Sequence, residues 1–231
     1  MPIDYTKRPA AAPTPATPGP TAVAPPGTTR VVLTKSAPTV SLTKHGSGGG
    51  MLRVNLNWNA RPPGSGGGLF RRAAADIDLD LGCLYEFTDG SKGVVQALGN
   101  AFTASPKGTT DRVIWLDGDD RSGANSAGEN LFVDLAHVAA IKRILIFAFI
   151  YEGAPNWASA DGVVTLFPST GPQIEVRLDE SRPGARICAI AMLTSAGGEL
   201  SVSREVSYID GGQSALDHAY GWGMRWAPGR K

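Results

Sequence analysis

Seven carboxylates fall in two short segments of a chain whose overall charge is nearly balanced. The first segment is Asp76-Ile-Asp78-Leu-Asp80, and the second is the loop from Asp117 to Glu129. Carboxylates crowded in this way repel one another, and a bound hard cation reverses the sign of that interaction. Carboxylate oxygens and the backbone carbonyls of a Gly-rich loop are ligands that Ca²⁺ prefers. The two segments therefore predict a Ca²⁺ site.

The spacing of the first segment is typical of a β-strand. Successive side chains of a strand point to opposite faces, so Asp76, Asp78 and Asp80 share one face. The other face carries three apolar residues: Ile77, Leu79 and Leu81. An alternative interpretation is that the Asp row is a solvated face that blocks edge pairing, with the acidic loop a mere connection. The guanidinium of Arg121 offers a further way to neutralise the cluster without any ion.

Short strand signals and turns position these two segments. With 29 Gly and 17 Pro, the composition favours many turns and few long helices. Strand starts about 8 to 12 residues apart are typical of a β-sandwich. We expect an all-β fold, an antiparallel two-sheet β-sandwich with a short C-terminal helix at Ser214 to Tyr220. The predicted strands are Arg30 to Lys35, Val40 to Lys44, Met51 to Trp58, Ala75 to Phe87, Lys92 to Ala97, Arg112 to Leu116, Asn130 to Leu135, Ile141 to Tyr151, Gly162 to Phe167, Gln173 to Leu178, Ala185 to Thr194 and Glu199 to Tyr208.

Composition divides the chain into a tail and one domain. Eight of the 17 prolines lie in the first 30 residues, and residues 1–29 predict a disordered Pro/Ala-rich tail. Residues 30–231 are then a single β-sandwich domain. The amino terminus lacks the apolar stretch of a secretory signal, and the run Ile144 to Tyr151 is too short to span a bilayer. We expect a soluble, cytoplasmic protein.

Charge and the remaining reactive residues exclude several function classes. Residues 1–50 hold five basic and one acidic side chain, which leaves 17 basic and 20 acidic residues beyond them. A mildly acidic domain gives no basic patch for nucleic acid. Cys83 and Cys188 lack metal-ligand spacing, and we expect Cys83 to be a buried apolar residue. The three histidines are scattered, no nucleophile motif is present, and a glycosidase carboxylate pair lacks support, so we expect no enzymatic activity.

Several motifs, in order along the chain, resemble the TerD family of tellurium-resistance and stress proteins. They are the run Asp78 to Glu86, Gly118-Asp-Asp-Arg-Ser-Gly123, Glu129 to Leu135 and Ile141 to Phe147. Three further stretches look most like TerA-type members of the family: Gly93 to Asn100, Ile150 to Gly153 and Tyr220 to Met224. The resemblance covers about residues 30 to 231.

This resemblance implies a non-enzymatic Ca²⁺-binding β-sandwich that acts in tellurite and stress resistance. The partners it implies are calcium and other proteins of a membrane-associated assembly, which would place the protein at the inner face of the membrane. The family's metal-binding positions fall on Asp78, Asp80, Asp119 and Glu129, with Arg121 and Gly123 in the same loop. Proximity and chemistry add four more candidate residues: Asp76, Asp117, Asp120 and Asn125.

One departure from the family pattern concerns the second half of the acidic loop. Relatives commonly continue with a denser acidic stretch where this chain has Ala124 to Gly128, so one cation site is expected to be weakened or missing. An alternative function is a Ca²⁺-dependent module that recognises phospholipid headgroups or glycans. Four tryptophans would supply its apolar or stacking contacts: Trp115, Trp157, Trp222 and Trp226. Of these, Trp222 or Trp226 is expected to be partly exposed near the chain end.

Overall fold

The protein is a two-sheet β-sandwich with one short C-terminal helix. The computed structural model describes residues 30–34, 38–42, 49–59, 77–118 and 128–227. Within these ranges it contains two 3₁₀ helices, Leu135–Ala140 and Trp157–Ser159, and the α-helix α1, Gln213–Tyr220. The strands are β1 Arg30–Val32, β2 Thr39–Ser41, β3 Met51–Asn57, β4 Asp78–Phe87, β5 Lys92–Gln96, β6 Thr103–Ala104, β7 Ile114–Leu116, β8 Glu129–Asp134, β9 Ile141–Glu152, β10 Gly162–Phe167, β11 Gln173–Leu178, β12 Ala185–Ala196 and β13 Glu199–Asp210.

The strands form two sheets, which confirms the predicted fold class. The first sheet has the order β1-β11-β10-β3-β8-β7-β6, and the second has the order β2-β13-β12-β9-β4-β5. Neighbouring strands are antiparallel except for β1, which pairs with β11 in parallel. β4 and β8 therefore belong to opposite sheets, and the acidic strand and the end of the acidic loop approach each other from the two sides of the sandwich.

β9 is a central strand buried on both faces, as its almost continuous apolar sequence predicted. Its Ile144, Ile146 and Ile150 belong to the core between the sheets. Leu145 and Phe147 belong to a second apolar cluster, together with Leu216 of α1 and Trp222. Because side chains of a strand alternate between its faces, a strand covered on both sides must be apolar throughout. The second cluster thus packs the C-terminal helix on the outer face of the second sheet.

The two tryptophans near the chain end differ in burial. Trp222 is fully buried, and its Nε1 donates a hydrogen bond to the backbone oxygen of Tyr85 at 3.0 Å, whereas Trp226 is half-buried. The prediction that Trp222 or Trp226 is partly exposed therefore holds for Trp226 and not for Trp222. Gly221, in the left-handed conformation with φ of 61°, ends α1 and turns the chain back onto the sheet. Among the described residues, no helix is long and apolar enough to cross a membrane.

Several predicted boundaries shift, and one strand was missed. β4 begins at Asp78 and not at Ala75, while β8 begins at Glu129, one residue earlier than predicted. The missed strand is β6, which has only two residues and so carries too short an alternation to recognise. The predicted tail, residues 1–29, lies outside the described residues.

Candidate metal centre

Two carboxylates of β4 lie inside the protein. Asp78 is 3% exposed and Asp80 is fully buried. The expected alternation is present, since Leu79 and Leu81 pack in the core between the sheets and Leu84, of the same parity as Asp80, packs in the second cluster. The alternative of a solvated Asp face is therefore wrong for these two residues. A buried carboxylate is costly unless a cation, a proton or hydrogen-bond donors compensate it.

A third carboxylate reaches the same strand from the opposite sheet. Glu129, the first residue of β8, is 2% exposed, and its Oε2 accepts a hydrogen bond from the backbone N–H of Leu81 at 2.7 Å. That N–H points to the side of β4 where β5 pairs, but β5 ends at Gln96, opposite Gly82. Glu129 supplies the acceptor that a longer β5 would have provided. Glu129 is thus hydrogen-bonded to Leu81, the residue that follows Asp80.

Gly128 makes the position of Glu129 possible. Its φ is +65°, a left-handed value that residues with a side chain rarely adopt, and a Cβ there would lie 2.1 Å from the backbone oxygen of Leu56. This close approach lets β8 start against β3, where Leu56 pairs with Glu129. The amide of Asn55 also donates to the backbone oxygen of Glu129 at 3.3 Å. The backbone of Glu129 is therefore fixed from the β3 side.

Asp117 closes the base of the acidic loop. It is exposed, its Oδ1 accepts from the backbone N–H of Asn130 at 3.1 Å and its Oδ2 accepts from the Asn130 amide at 2.8 Å. The side-chain oxygen of Asn130 in turn accepts from Arg53 and from Asn55, each at 3.0 Å. Asp117, predicted as a ligand, has a structural role at this point. Sequence reasoning missed Asn130, whose only signal was its place at the edge of the acidic loop.

The remaining predicted site residues cannot be placed against these carboxylates. Of the ten, Asp78, Asp80, Asp117 and Glu129 are described, and the others lie outside the described residues: Asp76, Asp119, Asp120, Arg121, Gly123 and Asn125. Within the described part of the chain, no three or more His, Cys, Asp or Glu residues form a group that could hold a metal ion. The chemistry of the buried donors, all carboxylate oxygens, nevertheless fits a hard cation such as Ca²⁺.

The two cysteines give no alternative centre. Cys83 and Cys188 are both free and buried. Burial raises the pKa of both thiols far above their ordinary value, so neither is a reactive thiolate at neutral pH. The prediction that Cys83 behaves as a small apolar core residue is confirmed.

The chain has a curated relative among tellurium-resistance proteins. It is 44% identical over 205 residues to the tellurium resistance protein TerA of an Alcaligenes species. The match covers 87% of this chain and 58% of that protein, so the chain spans little more than half the length of its relative. No family model matches the chain.

Two solved structures share the fold. One is a homologue of the telluride resistance protein TerD from Streptomyces coelicolor, with a TM-score of 0.50 and 20% identity over 72% of this chain and 94% of the other. The second is a protein of unknown function, with a TM-score of 0.51 and 16% identity over 71% of this chain and 92% of the other. At such identities the likeness concerns the fold alone. Sequence and fold point the same way, and the chain belongs to the TerD/TerA-type family of tellurium-resistance proteins.

Proposed function

We propose that this protein is a non-enzymatic Ca²⁺-binding member of the family, in which the cation orders the start of β4 and the acidic loop. The observation that carries the proposal is the burial of three carboxylates, those of Asp78, Asp80 and Glu129, on two strands of opposite sheets. Oxygen donors from both sheets are well suited to a cation that links them. The loop between β7 and β8 would supply further donors, Asp119 among them by family resemblance.

The hydrogen bond from Leu81 supports this assignment for Glu129. It fixes one oxygen of the carboxylate, and a carboxylate has two oxygens and about four lone-pair sites. A side chain oriented in this way is prearranged to coordinate an ion, because its rotamer is already ordered before the ion binds. Asp78 and Asp80 would ligate from β4.

Arg121 is the competing source of positive charge. It lies in the acidic loop, and its guanidinium would compensate the carboxylates without any metal. The two possibilities differ in their response to a chelator, because only a metal-dependent site loses stability when free Ca²⁺ is removed. Arg121→Gln also separates them, since a structural ion pair would be lost while the cation's ligands would remain.

We propose a role for the ordered loops as a partner-binding surface within a tellurium-resistance or stress assembly. The assembly's other proteins would be the partners, nucleic acid would not, and the protein would act in the cytoplasm at the inner face of the membrane. The alternative module for phospholipids or glycans has less support. Trp115, the tryptophan closest in sequence to the loop, stacks on Phe132 with ring centroids 5.3 Å apart and lies beneath Arg112, so its ring is already engaged.

Thermal unfolding in EGTA and in millimolar Ca²⁺ tests the proposal. Free ion at ~100 times Kd adds about 2.7 kcal/mol of stability. For a domain of this size the melting temperature rises by roughly 5 to 10 °C. The rise should vanish in Asp78→Ala/Asp80→Ala and persist in Arg121→Gln. Identical curves for the wild type in both buffers, with no metal found by elemental analysis, would contradict the proposal.

A further inference from the structure

Among the described strands, β5 and β2 are the two outer strands of the second sheet, and β5 is the one beside the C-terminal segment. Phe87 N–H donates to the backbone oxygen of Ser91 at 2.8 Å, so Phe87 and Ser91 are a hydrogen-bonded pair of the β4–β5 hairpin. Because hydrogen-bonded pairs alternate along antiparallel strands, Lys92 and Val94 turn their N–H and C=O groups away from β4. In the part of the chain that the structure describes, no backbone hydrogen bond outside the strands and helices involves either residue. The next outward N–H, that of Gln96, already donates to the backbone oxygen of Ala101 at 2.9 Å. The stretch of this edge that can accept another strand is therefore Lys92 to Val94.

A groove runs beside the open edge. Lys92 and Val94 line a cleft of about 400 Å³ together with Met224, Arg225 and Trp226. A second cleft of about 640 Å³ shares Val94, Arg225 and Trp226 and continues along β5 past Gln96. The shared residues join the two clefts into one groove beside β5. A peptide paired with β5 would therefore place alternate side chains in this groove.

The wall of the groove is held firmly in place. Asp217 of α1 is buried and accepts three hydrogen bonds, from Gly223 N–H at 2.7 Å, Met224 N–H at 2.8 Å and Trp226 Nε1 at 2.9 Å. These bonds fix the backbone before Arg225 and the indole of Trp226. A preformed wall costs little entropy when a ligand binds, because the ordering is complete in the free protein.

The charge of the groove selects its occupant. Arg225 lines both clefts and Lys92 lines the first, and no carboxylate is among the described residues that line them. Lys92 Nζ donates to the backbone oxygen of Trp222, whereas Arg225 is exposed and has no salt bridge among the described residues. Pairing two copies of the chain through β5 would bring like charges together. An acidic partner avoids that repulsion, and its carboxylates are attracted to Lys92 and Arg225.

We propose that the β5 edge and its groove bind an extended, acidic segment of a partner protein by strand addition. The partner's backbone pairs with Val94, its apolar side chains pack on Trp226 and Met224, and its carboxylate binds Arg225. Main-chain bonds would supply affinity, and the groove would supply specificity. This surface requires no cation, so it stands independently of the Ca²⁺ proposal.

The probe is a fluorescein-labelled octapeptide of alternating Val and Glu, titrated against the full chain by fluorescence anisotropy. We expect saturable binding, weakened by added salt because a charge pair contributes. Arg225→Gln should weaken it about two- to fivefold, and Trp226→Ala about tenfold. Arg177→Gln, an exposed cation on the other sheet, is the matched control and should leave binding unchanged.

The contribution of backbone hydrogen bonds to peptide binding is tested by one change in the protein and one in the peptide. Val94→Pro removes the outward N–H at an edge position, where Pro is tolerated, and should weaken binding about fivefold. A Val-Glu peptide N-methylated at alternate residues gives the same information without altering the protein. Equal affinity for a Val-Lys octapeptide, no binding of the Val-Glu peptide, or the same affinity for its N-methylated form would overturn the proposal. So would a wild-type dimer that Val94→Pro dissociates, because the occupant would then be a second copy.

Discussion

Glu129 and the backbone of Leu81 are joined by a 2.7 Å hydrogen bond that crosses the sandwich. Glu129 belongs to the first sheet and Leu81 to the second, and both are buried. The N–H of Leu81 lies just beyond the last β4–β5 pair, and Glu129 supplies the acceptor that β5 does not reach. The bond also attaches a buried carboxylate to the residue that follows Asp80 in β4. One side chain thus has two roles, as a strand cap and as a candidate ligand.

Substitutions at Glu129 should separate these two roles. Glu129→Gln keeps an oxygen acceptor for Leu81 N–H, so in EGTA its free energy of unfolding should remain near that of the wild type. Glu129→Ala leaves the buried N–H without that acceptor and should be less stable than Glu129→Gln by about 1–3 kcal/mol. Both should lose stabilisation by Ca²⁺. Urea unfolding in EGTA and in Ca²⁺ measures this, and equal stability of the two variants would contradict it.

Replacing Gly128 should damage the start of β8. A Cβ there would lie 2.1 Å from the backbone oxygen of Leu56, and φ is +65°. Gly128→Ala should therefore cost about 2–5 kcal/mol through strain and crowding. Gly90→Ala is the matched control, because φ is +80° with nothing within 4 Å, and it should cost only about 1–2 kcal/mol. Chemical denaturation that gives the same loss for both would show that contact with β3 is unimportant.

Arg143 should hold the C-terminal segment on the sheet. Its guanidinium lies 3.8 Å from the ring centroid of Trp222, and it donates to Glu86 at 2.7 Å and to the backbone oxygen of Tyr220 at 3.2 Å. Arg143→Ala should destabilise the protein by about 2–4 kcal/mol and shift tryptophan emission to the red. Lys142→Ala removes an exposed cation from the same Glu86 and should cost about 1 kcal/mol or less. If Lys142→Ala destabilised the protein more than Arg143→Ala, Arg143 would not be what holds the C-terminal segment on the sheet.

Asp217 should make the C-terminal segment sensitive to acid. Burial raises the pKa of this carboxyl, but hydrogen bonds from Met224, Trp226 and Gly223 and the nearby charge of Lys92 hold it below its ordinary value. The resulting stability is fully present above the unfolded-state pKa of about 3.9 and is lost as pH falls through the folded-state pKa. Urea midpoints at pH 5, 4 and 3 should fall more steeply in the wild type than in Asp217→Asn. Parallel slopes would exclude Asp217 as a contributor.

The sequence predicted the β-strands and the faces of β4 because alternation of apolar and polar residues is local information. It could not predict that the Asp face of β4 is buried, because that depends on what packs against the strand from elsewhere in the chain. The link between Glu129 and Leu81 joins residues 48 positions apart in different sheets, and no local pattern encodes it. Asn130 was overlooked for the same reason, since its value lies in bonds to Arg53 and Asp117.

A calorimetric titration of Ca²⁺ into chelator-treated wild type and Asp80→Asn tests the central claim most directly. Asparagine keeps the size of Asp80 and removes its charge, so the fold should survive while a cation site loses a principal ligand. We predict saturable binding to the wild type and at least about tenfold weaker binding to the variant. No binding to the wild type, or equal affinity for both proteins, would contradict the account.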